Sequence, residues 1–158
     1  MGILTLDTPL EVKIQEGGQE IETLKITYRY PTKEEEKAFD EHTKKMQELF
    51  KKLKKIESEA STIDKRIEYA EKREDYEKAE KLLDKKEKLE KEAEKLGDEF
   101  EKNGGEQFQE NISKMMYDIL VGGKDKEKLR VYAERVSYTR IIELLNRERE
   151  QFEKKQFG

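Results

Sequence analysis

The run PTKEEEKAFDEHTKKMQELFKKLKKIESEASTIDKRIEYA, residues 31–70, decides the fold. Phe39, Met46, Leu53, Ala60 and Ile67 recur at heptad spacing, and Leu49, Ile56, Ile63 and Ala70 fill the second position of the repeat. His42 is the one polar member of that seam. A heptad held this long predicts a continuous helix with a narrow apolar stripe. Glu41 with Lys45, Glu48 with Lys52 and Glu68 with Lys72 add favourable pairs one turn apart on the solvated faces. Pro31 ends whatever precedes the helix, and Thr32-Lys33-Glu34-Glu35 has the pattern of a capping box. A helix of about 40 residues would span roughly 60 Å.

C-terminal to this run the register breaks. Continuing it would set Glu74 and Glu77 in the seam, whereas apolar residues resume as Ala79, Leu82, Leu89, Ala93, Leu96 and Phe100. A tight turn at Arg73-Glu74-Asp75, with Asp75 capping a second helix, lets the two seams bury each other; a continuous helix with a stutter is the alternative. The folded-back hairpin is preferred. Pairing of the seam with a second copy, giving a homo-oligomer, stays open at this level.

Composition agrees with an elongated helical chain. Only 33% of the 158 residues are hydrophobic and 46% are charged, too little apolar matter for one thick core. Net charge is −4, from 34 basic and 38 acidic residues, which marks neither a nucleic-acid binder nor a strongly acidic mimic. With no cysteine there are no disulfides or thiolate sites. No apolar run suits a membrane span, and the N-terminus lacks the basic and apolar regions of a signal peptide, so a cytoplasmic protein is expected.

The two ends differ from the middle. Leu10, Val12 and Ile14 alternate with polar residues, as do Leu24, Ile26, Tyr28 and Tyr30, with Gly17-Gly18 between them as a hairpin turn. Ile21 is out of phase with Leu24, which predicts a bulge or a longer loop near Glu22. Pro9 is expected to separate a short first strand from the second. A lone hairpin is marginal in water and must pack on the helices or on another chain. Beyond the stop at Asn103-Gly104-Gly105, a third helix carries Phe108, Ile112, Met115, Met116, Ile119 and Leu120 on one face. Gly122-Gly123 is expected to end it with a left-handed cap, and Asp125 to cap the next helix. Ser137 divides the remainder, and residues from Glu153 onward are expected to fray. The fold class is therefore mainly α with a small β element: residues 1–31 a β-hairpin, 32–103 a long charged helical hairpin resembling a coiled coil, and 104–158 a C-terminal helical segment.

Candidate chemistry is sparse. His42 is the only histidine and lies in a helix seam, where a structural role suits it best. No carboxylate group has metal-loop spacing and no serine lies in a nucleophile elbow. Gly122-Gly123-Lys124 lacks the earlier glycine and the following Ser or Thr of a phosphate loop. No enzyme, no metal and no cofactor is expected. Lys51, Lys52, Lys54 and Lys55 form the one basic cluster suited to nucleic acid, but a solvated helix face accounts for them and no aromatic is interleaved for stacking. A protein partner is the better expectation. Its docking residues would be Leu24, Ile26 and Tyr28 on an unpaired β edge, and Tyr138, Ile141, Ile142, Leu145 and Phe152 in the C-terminal segment, core being the plainer account of most of this second set.

Two resemblances follow from particular residues. Ile67-Glu68-Tyr69-Ala70, then Glu74-Asp75-Tyr76-Glu77-Lys78-Ala79 and Leu82-Leu83-Asp84, is similar to the UVR helical hairpin of excision-repair proteins, with Leu83-Asp84 where that motif has Arg-Asp. The resemblance implies a turn at Glu74-Asp75. Leu10-Glu11-Val12-Lys13-Ile14, the stretch Leu24-Lys25-Ile26-Thr27-Tyr28-Arg29-Tyr30-Pro31-Thr32 and the segment around Val136-Ser137-Tyr138 together resemble small phage proteins of the tail assembly chaperone type, with the long hairpin as an insertion. That resemblance implies a non-catalytic assembly factor that coats an extended partner such as a tape-measure protein in the host cytoplasm. The alternative is a phage-encoded inhibitor that blocks a host nuclease or defence complex.

Overall fold

A computed structural model describes Gly2 and residues 4–157. The elements, in order, are β1 (Asp7–Glu16), β2 (Gln19–Arg29), α1 (Lys33–Lys72), α2 (Tyr76–Lys102), a 3-10 turn (Gly105–Gln107), α3 (Phe108–Leu120), β3 (Val121–Gly122), α4 (Lys126–Val136) and α5 (Tyr138–Phe157). They form two compact units. One comprises residues 1–40 with 109–158, and the other residues 41–108. The β-hairpin and the C-terminal helices, read from sequence as separate segments, thus share one unit.

In the hairpin unit, the α1 seam is closed by α2 from the same chain. Met46, Leu49, Ile56, Ile63, Ile67 and Ala70 are buried along α1, with Ala79 and Phe100 buried on α2. Lys86 on α2 meets Asp64 on α1 at 2.6 Å. The turn is a Schellman motif: the Asp75 amide donates to Ala70 O at 2.9 Å and the Glu74 amide to Glu71 O at 3.0 Å. Glu74 takes the left-handed position at φ 59°, where glycine is usual. The Asp75 side chain then accepts from the Lys78 amide, capping α2.

The other unit is a small sheet under helices. β1 and β2 pair antiparallel, and the two-residue loop Gly17-Gly18 has positive φ at both positions, the type I′ combination. Ile14 pairs with Glu22 but Gln15 with Glu20, so Ile21 is the bulged residue. Leu10, Val12, Leu24, Ile26 and Tyr28 face inward onto Tyr117, Leu120, Leu129, Ala133, Ile141, Ile142 and Leu145. The capping box at the start of α1 forms as its spacing predicts, with the Thr32 amide donating to Glu35 Oε1 at 2.9 Å and the Glu35 amide to Thr32 Oγ1 at 3.1 Å.

Five local expectations are corrected. Pro9 lies inside β1, because β1 is an edge strand where a missing N–H costs no ladder bond. Gly122-Gly123 does not cap α3; the helix passes directly into β3, which pairs Gly122 with Thr27 and Val121 with Tyr28. Gly123 instead has φ 96°, and a Cβ there would meet Ile26 Cα at 2.9 Å. Asp125 holds the N-cap position of α4, yet its side chain makes no cap bond and is used by β2. Met115 and Ile119 are exposed, and the inward face of α3 carries Tyr117, fully buried. Residues 153–157 stay helical, and Glu153 accepts from the Tyr30 hydroxyl.

Candidate functional site

The residues expected to dock a partner come together, but as interior. Leu24, Ile26, Tyr28, Tyr138, Ile141, Ile142 and Leu145 are all buried, Leu145 completely. Their apolar alternation is satisfied by packing sheet on helix within this unit, so they offer no surface. Phe152 alone of the set is half-buried and packs at the margin of the core.

The β2 edge is not open either. β3 pairs with it at Thr27 and Tyr28. Next to that pairing, the Lys25 amide donates to Asp125 Oδ2 at 2.7 Å, and the Asp125 amide donates to Lys25 O at 3.3 Å. Asp125 thereby serves Lys25 as a further strand residue would, and it is itself 8% exposed.

β1 is the longer edge of the sheet, the other being the two-residue β3. Tyr30 donates its amide to Leu6 O, and in the antiparallel register this places the bonded pairs on Thr8, Leu10, Val12 and Ile14. The backbone groups of Asp7, Pro9, Glu11 and Lys13 consequently point away from β2. Their side chains lie on the solvent face of the sheet, Glu11 opposite Lys25 and Asp7 opposite Arg29. Two grooves run beside this strand. One, of about 490 Å³, lies between Pro9–Glu11 and the α5 residues Glu148, Gln151, Phe152 and Lys155. The other, of about 310 Å³, is mainly apolar, walled by Ile14, Ile21, Val136, Ile141 and Leu144. The bulge supplies Ile21, which is half exposed.

Polar contacts fix the helices that form these walls. Glu110 of α3 caps α5: its carboxylate accepts from Ser137 Oγ at 2.7 Å, from the Thr139 amide at 3.2 Å and from Thr139 Oγ1 at 2.9 Å, and also from the Tyr138 amide. Burial would raise its pKa, but these donors outweigh it and hold the carboxyl below its ordinary value. At the middle of α5, the Arg149 guanidinium lies over two rings, 4.4 Å from the centroid of Tyr28 in β2 and 3.8 Å from that of Tyr30 just beyond it. Tyr28 donates its hydroxyl to Asn146 Oδ1 at 2.7 Å. Burial raises the Tyr28 pKa, with Arg149 opposing. Arg29 forks onto Glu35 at 2.7 and 2.8 Å, and that bond with the Thr32 amide lowers the Glu35 carboxyl to about 2.

In the hairpin unit, Lys51, Lys52, Lys54 and Lys55 are all exposed. Lys54 reaches Glu57 at 3.5 Å and lies 5.4 Å from the Phe50 ring. Phe50 contacts Phe100 at a centroid distance of 6.1 Å and is itself partly exposed. His42 is half-buried on α1. Among the described residues no group of three or more His, Asp or Glu side chains is placed to hold a metal ion, and no helix is long and apolar enough to cross a membrane.

Comparison of the chain with models of known families, with curated proteins and with solved structures finds no match. The β1 edge was visible in the sequence only as one side of a hairpin. Which side stays open depends on β3 and Asp125, and local pattern carries no signal for either pairing. The groove residues Val136 and Leu144 read as ordinary helix positions, and Glu110 as one acid among many.

Proposed function

We propose that this chain is a non-enzymatic protein-interaction protein that takes an extended segment of a partner protein onto the open edge of β1. The observation that carries the reading is the row of outward backbone groups at Asp7, Glu11 and Lys13 beside the apolar groove of Ile14, Ile21, Val136 and Leu144. An added strand gains main-chain hydrogen bonds from the edge and specificity from alternate side chains entering the groove. The likeness of the two ends to tail assembly chaperones supports an assembly factor that holds an extended virion component, such as a tape-measure protein, in the host cytoplasm.

The test is affinity recovery of the tagged protein from the cells it is made in, with mass spectrometry of what accompanies it, alongside Lys13→Pro. That substitution removes an outward N–H which the β1–β2 ladder does not use, following the precedent of Pro9. Recovery of a virion assembly protein by the parent chain, and its loss with Lys13→Pro, is the expected result. Equal recovery by both would contradict use of the edge. Recovery of a host nuclease or defence complex would replace the assembly role with an inhibitory one.

A further inference from the structure

We infer that the open edge of β1 also accepts β1 of a second copy, joining two sheets across a two-fold axis. The inference rests on the reading of β1 as a strand acceptor and names one occupant for it. A two-fold axis normal to the sheet pairs a strand with itself in antiparallel sense. The sequence of β1, DTPLEVKIQE, is self-complementary in one such register.

With Val12 on the axis, each Glu11 lies opposite the second copy's Lys13, and each Lys13 opposite the second copy's Glu11. Opposite charges directly across strands are favourable, and like charges unfavourable. The backbone phase agrees. Glu11 and Lys13 are the residues whose N–H and C=O point outward, so these two pairs exchange the main-chain bonds. On the helix side, Leu10 meets the second copy's Ile14 and Val12 meets Val12. Each added Ile14 arrives at the groove beside Leu10 and Phe152, and each added Leu10 at the groove beside Ile21 and Leu144.

Neighbouring registers fail for identifiable reasons. Moving the axis one residue toward the N-terminus sets Glu11 against Glu11, and one residue toward the C-terminus sets Lys13 against Lys13. A further step toward the N-terminus brings both Pro9 residues, which lack an N–H, into the centre of the ladder. A further step the other way puts Glu16 opposite Val12 on the apolar side. In the favoured register Pro9 falls opposite Gln15 at the ends, where one lost bond matters least.

The test uses charge reversal on the full chain, read by sedimentation velocity at low salt over a concentration series. Glu11→Lys alone sets Lys against Lys, and Lys13→Glu alone sets Glu against Glu. Each is expected to weaken self-association by about tenfold or more relative to the parent chain. Mixing the two variants restores opposite charges at every cross-strand pair, because one copy then carries lysine at both positions and the other glutamate at both. A heterodimer of parental affinity is therefore expected. Glu11 and Lys13 are exposed, and far-UV circular dichroism checks that each variant stays folded. A parent chain that is monomeric throughout, or singles that fail to combine on mixing, overturns the inference. Foreign-strand capture abolished by Lys13→Pro in a monomeric parent would leave the strand-acceptor reading standing without it.

Discussion

Lys25 and Asp125, a hundred residues apart in sequence, are joined by two hydrogen bonds, the Lys25 amide to Asp125 Oδ2 at 2.7 Å and the Asp125 amide to Lys25 O at 3.3 Å. The pair completes the β2 edge beyond the two-residue β3 and leaves β1 as the longer of the two sheet edges. Asp125→Ala should therefore leave the part-buried Lys25 amide without its acceptor and destabilise the chain by about 1–2 kcal/mol. Urea denaturation measures this. Asp125→Asn, which keeps an acceptor oxygen, should recover most of the loss.

Leu145 separates core from surface. It is fully buried in the core that holds Leu24 and Ile26, so Leu145→Ala should cost about 2–5 kcal/mol in unfolding free energy through the cavity it leaves. A residue presented to a partner would instead alter binding and leave the denaturation midpoint in place. Tyr117→Phe should cost less, about 0.5–1.5 kcal/mol, for the lost bond from the Tyr117 hydroxyl to Lys126 O.

Acid should loosen the β-containing unit through two carboxylates. Glu35 and Glu110 are both lowered from an ordinary 4.5, Glu35 to about 2 by Arg29 and the Thr32 amide, and Glu110, against its burial, by Ser137, Tyr138 and Thr139. A lowered carboxyl contributes stability that is present above its unfolded pKa and lost as pH falls through its folded one. Stability should thus decline as pH drops from 4.5 toward 2, where the Glu35 contribution is lost. The double variant Glu35→Gln, Glu110→Gln should show a shallower decline in urea midpoint over the same range. At neutral pH, Glu110→Ala alone should cost about 2 kcal/mol as an uncapped helix start.

Glu74 offers a gain. It sits at φ 59° in the turn between α1 and α2, and a left-handed backbone is costly for a residue with a Cβ. Glu74→Gly should stabilise the hairpin by about 0.5–1 kcal/mol, the relief of strain exceeding the added chain entropy. A rise in thermal midpoint is the readout. A fall would mean that the Glu side chain contributes something the backbone geometry does not show.

Local physics was legible in the residue order, and long-range physics was not. The heptad from Phe39 to Ala70, the Thr32 capping box, the turn at Glu74-Asp75, the hairpin at Gly17-Gly18 and the bulge near Glu22 each depend on residues a few positions apart. The bonds from Asp125 to Lys25 and from Glu110 to the start of α5 join residues that no spacing rule connects. An apolar alternation also looks the same whether it meets a helix of its own chain or another protein. For that reason Leu24 and Ile26 pointed to a partner from sequence and to the core in the folded chain, and Pro9 read as a strand break before the edge position of β1 was known.

The most direct test of the account is amide hydrogen exchange along β1, measured by NMR on dilute protein, on concentrated protein and with any partner recovered. Leu10 and Val12, bonded to β2, should be protected in every sample. Glu11 and Lys13 should exchange freely in dilute protein and become protected when the edge is occupied, by a second copy at high concentration or by the partner's strand. Glu11 and Lys13 amides that remain freely exchanging under all three conditions would contradict the assignment of β1 as a strand acceptor.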